Sequence, residues 1–274
     1  MISISGLYIY PVKSCRGIAL DEAEVGPTGF VHDRQWLVVD SHGTFMTQRD
    51  WPALAQITAA ISADGLRLSA DGMPTIVLPW HAGAETVKTV TIWRDRCAAV
   101  TAGPQAAEWF SDFLETPSQL VRMPASTFRQ VERAFAQEGD QVAFADGYPF
   151  LLISQASLDE LNRRLDEPLP MDRFRPNIVV QGCEPHAEDG WRRITVGGVG
   201  FRVVKPCARC VMTTIDQAKG ARGREPLRTL ATYRRVGGEV LFGQNLIQDG
   251  GGTVRMGDEC VVTDWPNLRN LVSR

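Results

Sequence analysis

The sequence predicts a mainly β protein, mixed with about three helices, that is divided into two domains. Short segments rich in β-branched and aromatic residues recur along the chain, with turn signals such as Asp64-Gly65 and Asp71-Gly72 between them. Helical spacing of apolar residues is confined to a few short stretches. A length of 274 residues is enough for two medium-sized domains with a substantial buried core.

The first domain is predicted to cover residues 1–121 and to be a barrel-like arrangement of short strands. Strands are expected at residues 4–10, 36–39, 66–69, 75–78 and 87–93. Pro104 then opens a helix in which Trp109, Phe110, Phe113 and Leu114 fall at helical spacing. We expect these four side chains to face the core.

The second domain is predicted to cover residues 122–266. Residues 122–146 are polar and mixed, and they are the best candidate for a link or loop between the domains. Buried strands are expected at residues 150–153, 178–180, 194–196 and 199–204. The segment Val211–Ile215 is β-branched, so it is predicted to continue as a strand. Pro226 is expected to start a short helix.

Bulk composition excludes several classes of protein. A formal net charge of −3 gives no general attraction to a nucleic-acid polymer or an anionic membrane. No apolar run approaches the roughly 20 residues that span a bilayer. The N-terminus alternates like a strand and lacks the features of a signal peptide, so we expect a cytoplasmic protein. The six cysteines are therefore expected to be free thiols, most of them plain core residues.

The pair Cys207-Ala208-Arg209-Cys210 is the sharpest local signal for chemistry. Lys205 and Arg209 lie beside it, and such cations favour the thiolate form of a nearby cysteine. A structural zinc site would need two more ligands, and neither a second Cys pair nor suitably spaced His residues exist. An iron–sulfur cluster would need four Cys at a recognisable spacing. Two readings stay open: one thiolate on a metal held mainly by a cofactor, or two core cysteines without a role.

Cationic side chains near predicted strand ends are candidates for an anion site. Lys13 and Ser14 follow the first strand and could clamp a phosphate, and Arg34 precedes the second. Arg173 and Arg175 are two residues apart, and the proline after Arg175 is expected to keep it extended, which would place both on one side of the segment. Each of these residues also has an ordinary explanation as a solvated group or a surface ion pair.

Taken together, ordered motifs along nearly the whole chain resemble one family, the MOSC proteins, named for the C-terminal domain of molybdenum cofactor sulfurase, and among them the amidoxime-reducing components. The motifs that show the resemblance are Tyr10 to Cys15 (YPVKSC), Asp33 to Val38 (DRQWLV), Pro149 to Ser154 (PFLLIS), Phe174 to Val179 (FRPNIV), Cys207 to Asp216 (CARCVMTTID), Arg224 to Leu227 (REPL) and Phe242 to Asn245 (FGQN). The resemblance implies an N-terminal MOSC-associated β domain and a C-terminal MOSC β-barrel.

The resemblance also implies a molybdenum–molybdopterin cofactor bound between the domains, with molybdenum on Cys210. The residues it assigns to the pterin and its phosphate are Lys13, Ser14, Arg34, Arg175, Asn177 and Arg209. Further cofactor contacts are implied at Asp146, Gly147, Tyr148, Ala208 and Asn245. Ala208 and Asn245 depart from relatives that have a hydroxyl and an aromatic residue there, which affects substrate range or nearby hydrogen bonds. The pterin dithiolene supplies two sulfurs to the metal, so a single protein thiolate suffices.

The activity implied is reduction of a small N-hydroxylated substrate, such as an amidoxime, a hydroxylamine or an N-hydroxylated base. The chain ends at Arg274 without an appended Cys-rich segment, so no iron–sulfur cluster is expected in it. A separate reductase, a flavin or iron–sulfur protein, would then donate the electrons. The alternative is a molybdenum cofactor carrier or a sulfur-transfer module in which Cys210 or Cys207 bears a persulfide.

Overall fold

The computed structural model describes residues 1–80 and 86–265. Within the first half of these ranges, the strands are β1 (Ser3–Ile9), β2 (Ile18–Ala19), β3 (Glu22–Gly26), β4 (Gly29–Phe30), β5 (Trp36–Asp40), β6 (Thr58–Ser62), β7 (Gly65–Ser69), β8 (Ile76–Pro79), β9 (Val87–Ile92), β10 (Asp95–Thr101) and β11 (Ser118–Arg122). The strands of the second half are β12 (Phe150–Ser154), β13 (Ile178–Gln181), β14 (Arg193–Val196), β15 (Val199–Ala208), β16 (Arg235–Val236), β17 (Glu239–Gln248), β18 (Gly252–Arg255) and β19 (Cys260–Asp264). The α-helices are α1 (Pro104–Leu114), α2 (Gln155–Asn162) and α3 (Leu227–Leu230). Short 3-10 helices cover Pro52–Gln56, Met171–Arg173, Ala187–Gly190 and Val211–Thr214. The prediction of a mainly β protein with about three helices is confirmed.

The largest sheet joins strands from both halves of the chain. It has nine strands, eight of them in the order β19-β14-β15-β17-β12-β13-β1-β2, with β16 paired to β17. β12 and β13 run parallel, and the segment that connects them contains α2, as a parallel pair requires a crossover connection. The N-terminal strand β1 pairs antiparallel with β13, with Leu7 opposite Ile178. The N-terminus therefore completes a sheet built mainly from the second half.

Three smaller sheets complete the fold. Their orders are β5-β11-β10-β9, β6-β7-β8 and β18-β3-β4. The last of these also mixes the halves, since β18 pairs with β3. Strands from before residue 121 and from after residue 122 therefore share two sheets. Our division of the chain into two domains at this point remains a prediction.

Helix α1 packs as its apolar spacing predicts. Of the four side chains predicted to face the core, Trp109, Phe110 and Leu114 are buried in one apolar cluster with residues of β5, β7, β8 and β11, and Phe113 is partly buried against it. Pro104 occupies the start of the helix, where its missing N–H costs no intrahelical hydrogen bond. A separate and larger core lies on the nine-stranded sheet, where Phe150 packs edge-on against Phe30 and Phe201.

One expected strand is wrong, and it lies next to the cysteine pair. Residues 211–214 form a 3-10 helix instead of continuing β15. The hydroxyl of Thr213 donates to the carbonyl of Cys210, and that of Thr214 donates to the carbonyl of Val211. Such local side-chain to backbone bonds compete with strand pairing. The β-branched residues here therefore fold the chain back directly after Cys210.

Candidate functional site

Loops at the ends of several strands converge on one cleft with a cavity volume of about 150 Å³. Its lining includes all twelve residues selected from the sequence: Lys13, Ser14, Arg34, Asp146, Gly147, Tyr148, Arg175, Asn177, Ala208, Arg209, Cys210 and Asn245. The first three come from the first half of the chain and the others from the second. The structure thus brings the selected residues together, while their individual roles remain predictions.

The charge of the cleft favours an anion. Among the described lining residues there are five cations, Lys13, Arg34, Arg173, Arg175 and Arg209, and a single carboxylate, Asp146. Arg175 and Arg209 make no ion pair with a carboxylate of the described chain, although Arg173 pairs with Asp216 at 3.3 Å. Cations packed this closely repel one another in a partly dry cleft, so the site gains stability when a negative group enters.

Lys13 and Ser14 are positioned by a short bridge at the end of β1. The backbone N–H of Lys13 donates to the carbonyl of Trp36 at 2.8 Å. The Lys13 ammonium donates to Oδ1 of Asp146 at 2.6 Å, and burial nevertheless lowers the pKa of Lys13 to about 8. The hydroxyl of Ser14 is buried and has no hydrogen-bond partner among the described residues. A buried hydroxyl without a partner is costly, so a ligand that bonds to Ser14 would remove that cost.

Three lining residues, Arg34, Arg175 and Asn177, form with the buried Tyr10 and Asp33 a group that we call the inner cluster. Asp33 accepts from the backbone N–H of Tyr10 at 2.7 Å and from Arg34 at 2.6 Å. Arg34 also donates to the side-chain oxygen of Asn177 at 3.0 Å. The guanidinium groups of Arg34 and Arg175 lie 4.2 and 4.1 Å from the centre of the Tyr10 ring. Hydrogen bonds and ring contacts therefore fix both cations.

Burial sets the protonation tendencies of the inner cluster. It lowers the pKa of Arg175 to about 10, against the opposing effect of Tyr10. It also raises the pKa of Asp33, although Arg34 beside it has the opposite effect. A second negative charge near Arg175 would favour its charged form, since an opposite charge within a few ångströms stabilises ionisation.

Three of the seven described non-glycine residues with positive φ line the cleft. Ser14, Arg34 and Arg175 all have positive φ values, of 69°, 47° and 56°. Residues other than glycine rarely adopt this left-handed region, and such strain clusters at functional sites. The expectation that Arg175 is extended is therefore wrong. Its N–H instead closes a turn on the carbonyl of Asp172 at 3.2 Å, which directs the side chain onto Tyr10.

The cysteine pair lies where β15 ends. Arg209 donates to the carbonyl of Phe174 at 2.7 Å and to the Cys207 sulfur at 3.0 Å, while its buried Nε has no partner among the described residues. Cys210 directly precedes the 3-10 helix Val211–Thr214. The six cysteines are all free. Burial raises the pKa of Cys15 to about 12, which makes that thiol inert.

Two residues near the cleft were missed by the sequence motifs. Together with Asp146 they form what we call the rim cluster: Arg49, Trp93 and Asp146. Arg49 Nη2 lies 3.4 Å from the Cys210 sulfur and 3.4 Å from Asp146 Oδ2. The indole N–H of Trp93 donates to Asp146 Oδ1 at 3.1 Å, and the Arg49 guanidinium lies 4.6 Å from the Trp93 ring centre. Arg49 is thus the cation in direct contact with the candidate metal ligand.

Charges in the rim cluster stabilise one another. Partial burial opposes ionisation of Asp146, but Lys13 and Arg49 hold the pKa of its carboxyl well below the usual range. Burial likewise opposes the charge on Arg49, while Asp146 and Cys210 raise its pKa. Both groups are therefore ionised at neutral pH.

The loop that carries Arg49 is anchored from the other half of the chain. The buried amides of Gln48 and Gln217 exchange two hydrogen bonds of 3.0 Å. Arg222 donates to the backbone carbonyl of Arg49 at 2.5 Å. These bonds hold Arg49 beside Cys210 although the two residues are 161 positions apart in sequence.

Other selected residues have looser surroundings. The Tyr148 hydroxyl donates to Glu132 at 3.4 Å, and the Asn245 amide donates to the carbonyl of Pro206 at 3.5 Å. Nothing lies within 4 Å of the position that a Cβ at Gly147 would take, so a side chain would fit there. Residues 1–80 and 86–265 contain no group of three or more His, Cys, Asp or Glu side chains able to hold a metal ion. No helix in these ranges is long and apolar enough to cross a membrane.

Comparison with known proteins shows the family of this chain. Residues 1–117 match the MOSC N-terminal beta barrel domain, and residues 139–261 match the MOSC domain. The chain is 36% identical to mitochondrial amidoxime-reducing component 1 of Homo sapiens over 93% of its length and 81% of that protein. Identity to the Mus musculus protein of the same name is 37%, with the same coverage of both chains. The molybdenum cofactor sulfurase of Danio rerio is 32% identical over 88% of this chain and 31% of that protein. With both domains matched and relatives aligned over nearly its full length, the chain belongs to the MOSC-domain family that includes the amidoxime-reducing components.

Proposed function

We propose that this protein is a molybdenum-cofactor-dependent oxidoreductase that reduces N-hydroxylated compounds such as amidoximes, hydroxylamines and N-hydroxylated bases. The observation that supports this most is the position of Cys210 in a cleft whose described lining has five cations to one carboxylate. Two relatives similar over nearly the whole chain are named amidoxime-reducing components. We expect the same class of activity here.

The donor groups of the cleft fit a phosphorylated pterin. Lys13, Arg34, Arg175 and Arg209 would bind its phosphate and polar edge, each through charge-assisted hydrogen bonds. Ser14 Oγ and Arg209 Nε are buried without a partner in the part of the chain that the structure describes, so both remain available to a ligand. Asn177 has a different task, since its side-chain oxygen already accepts from Arg34 and from the N–H of Leu151. It would hold Arg34 in place for the cofactor.

Cys210 would supply the protein ligand to molybdenum. The cofactor contributes a metal that cycles between oxidation states and two dithiolene sulfurs, so one protein thiolate completes the attachment. The overall reaction breaks the N–O bond of the substrate: an amidoxime takes up two electrons and two protons and yields an amidine and water. A separate flavin or iron–sulfur reductase would provide the electrons.

The chain itself would bind and orient the cofactor and the substrate and shield them from solvent. The inner cluster would fix the cofactor through cations held at defined positions, and the 3-10 helix after Cys210 turns the chain so that the sulfur faces the cleft lining. The remaining task of the residues near Cys210 is to hold the N–OH group. We keep a cytoplasmic location as a prediction, and cell fractionation would test it because the relatives are named mitochondrial.

Metal and pterin analysis tests the proposal. Protein from a host that makes the cofactor should hold about one molybdenum per chain and reduce benzamidoxime with an artificial electron donor. Cys210→Ser should lose both molybdenum and activity, whereas the matched variant Cys207→Ser should keep most of both. Wild-type protein without molybdenum and pterin would refute the proposal. Sulfane sulfur on a cysteine of such metal-free protein would favour a sulfur-transfer module, and equal losses in the two variants would indicate a dithiol mechanism.

A further inference from the structure

We propose that Arg49 and Trp93 form a substrate subsite in which Arg49 binds the N-hydroxyl oxygen and Trp93 supports the planar part of the substrate. This inference rests on the proposed function, because it identifies how the same site selects its substrate. It adds two residues that lie outside the family motifs of the sequence. Four observations support it: the donors of Arg49, the exposure of Trp93, the rigidity of the Arg49 loop and the charge around Asp146.

Arg49 has hydrogen-bond donors to spare at the right place. Its contacts with Cys210 and Asp146 both use Nη2 and are 3.4 Å long. A strong charge-assisted hydrogen bond from a guanidinium to a carboxylate is shorter, about 2.7–2.9 Å. Nη1 and Nε make no hydrogen bond to the described residues. A hydroxyl oxygen that approaches a metal on Cys210 would therefore meet free guanidinium donors.

Trp93 is an aromatic surface held in a fixed position. It is 51% exposed, so the ring is accessible to a ligand. Its N–H is bonded to Asp146, Arg49 packs on the ring, and Phe45 meets the ring edge-on with centroids 5.0 Å apart. Its backbone φ of 55° is in the left-handed region. The fold therefore holds the half-exposed indole of Trp93 near the candidate catalytic sulfur, on a backbone in a strained conformation.

The support under Arg49 is stiff. Gln48 and Gln217 are both buried, and the two hydrogen bonds between them link the loop of Arg49 to the segment after the 3-10 helix Val211–Thr214. Arg222 adds a bond to the carbonyl of Arg49 from the same segment. A charged side chain held in this way is preorganised for a ligand, and preorganisation lowers the entropic cost of binding.

The charge around Asp146, to which Lys13 contributes from beside the rim cluster, favours substrate over product. Lys13 and Arg49 share the one carboxylate of Asp146, which leaves a net positive charge. An amidoxime is neutral near pH 7, and its hydroxyl oxygen can accept from Arg49. The amidine product is a protonated cation without that oxygen, so the same guanidinium repels it. The subsite would thus hold the N–OH group before reduction and assist release afterwards.

The test measures equilibrium binding and turnover separately. Cofactor-loaded protein is titrated with benzamidoxime in the absence of reductant, and isothermal titration calorimetry measures the binding. Arg49→Gln should weaken binding by about 10- to 100-fold, as expected for a lost hydrogen bond to a charged group, with a parallel rise in KM. Arg49→Lys should recover part of this affinity. Benzamidine should inhibit Arg49→Gln more strongly than it inhibits the wild type.

Trp93 is tested through substrate shape. Trp93→Leu should weaken benzamidoxime binding about two- to tenfold, the range of an aromatic contact, and should leave acetamidoxime nearly unaffected. Trp93→Phe should restore most of the preference for benzamidoxime. Arg67→Gln is the matched control, since Arg67 is an exposed arginine on β7 of the same half of the chain.

Molybdenum content separates the possible failures. All these variants should hold as much molybdenum and pterin per chain as the wild type. A loss of cofactor in Arg49→Gln would make Arg49 a cofactor-holding residue and overturn the subsite. Unchanged benzamidoxime affinity in a loaded Arg49→Gln protein would overturn it as well. A wild-type protein without cofactor or reductive activity would instead refute the proposed function, and the subsite with it.

Discussion

The inner cluster and the rim cluster hold cations around the same cleft in different ways. In the inner cluster Asp33 is 2% exposed, and its bonds to Tyr10 and Arg34 measure 2.7 and 2.6 Å. In the rim cluster the Asp146 side chain is 50% exposed, and Arg49 lies 3.4 Å from it. Buried and short contacts fix a geometry, whereas half-exposed and longer contacts leave donors open. The difference suggests that the inner cluster serves the permanent cofactor and the rim cluster serves exchanging substrates.

The largest effect is expected when the inner cluster loses a cation. Arg34→Met leaves the buried carboxylate of Asp33 without its partner, so the free energy of unfolding at pH 7 should fall by about 3–5 kcal/mol. The loss of the partner raises the pKa of Asp33 further above its unfolded value. The folded state then binds the extra proton, and stability falls as the pH rises from acid to neutral, so the deficit should shrink at low pH.

Urea denaturation of the cofactor-free protein at several pH values measures this effect. Arg163→Met is the matched control, because Arg163 pairs with Glu160 on the exposed surface of α2. Such surface pairs add little, and we expect no measurable change. Similar deficits in the two variants would mean that the inner cluster is no more tightly coupled than a surface pair.

Lys13, which lies between the two clusters, should show opposite trends for stability and cofactor retention. Its pKa is about 8 when folded against 10.5 as the ordinary value, a difference that corresponds to about 3 kcal/mol. Between these values the unfolded chain binds the proton and the folded chain does not, so stability rises with pH. Retention of a phosphorylated cofactor should fall over the same range, because Lys13 loses its charge.

The comparison with Lys13→Met isolates these trends from other titrating groups. The variant should lack the rise in unfolding free energy above about pH 8. Lys219→Met serves as the control, since Lys219 is exposed and should leave the pH dependence as in the wild type. Parallel pH profiles for wild type and Lys13→Met would contradict the assignment of the titration to Lys13.

A smaller effect is expected when the support of the rim is removed. Gln48→Met leaves the buried amide of Gln217 without its reciprocal partner, which should lower the free energy of unfolding by about 2 kcal/mol. Because the Arg49 loop loses an anchor, KM for benzamidoxime should rise. Gln48 also donates to the carbonyl of Ser14 at 2.6 Å, so some loss of molybdenum is expected as well. Gln155→Met, at an exposed amide that bonds Asp159, is the control and should change none of these quantities. A drop in molybdenum content with unchanged KM would reverse the roles of the two clusters.

Sequence motifs predicted the inner cluster better than the rim. Arg34 and Arg175 of the inner cluster stand next to apolar strands in recognisable motifs, and the ends of strands that share a sheet lie close together. Arg49 lies in a polar turn and Trp93 lies in a hairpin turn. Neither residue is part of a motif that would mark it as functional. Their link to Cys210 arises only from tertiary pairing, including the amide pair between Gln48 and Gln217. No local pattern encodes such a contact.

Local propensity also failed at two places in the cleft. The run Val211–Thr214 has strand-forming residues, but threonine hydroxyls bonded to nearby carbonyls favour a 3-10 turn. Arg175 precedes a proline, yet its contact with Tyr10 holds it at positive φ. In both cases the backbone of a loop at the candidate site departs from the local preference of its residues. Such departures are expected at functional sites.

The pairing of β1 with β13 has a consequence for dividing the protein. Residues 139–261, the part that matches the MOSC domain, do not contain β1. Expressed alone, they would present β13, with Ile178, Val179 and Val180, as a bare and apolar sheet edge. Such an edge recruits other strands, so the fragment should self-associate. We expect a separate peptide of residues 1–19 to pair with that edge and to reduce the self-association of the fragment. The protein would then reassemble from two pieces.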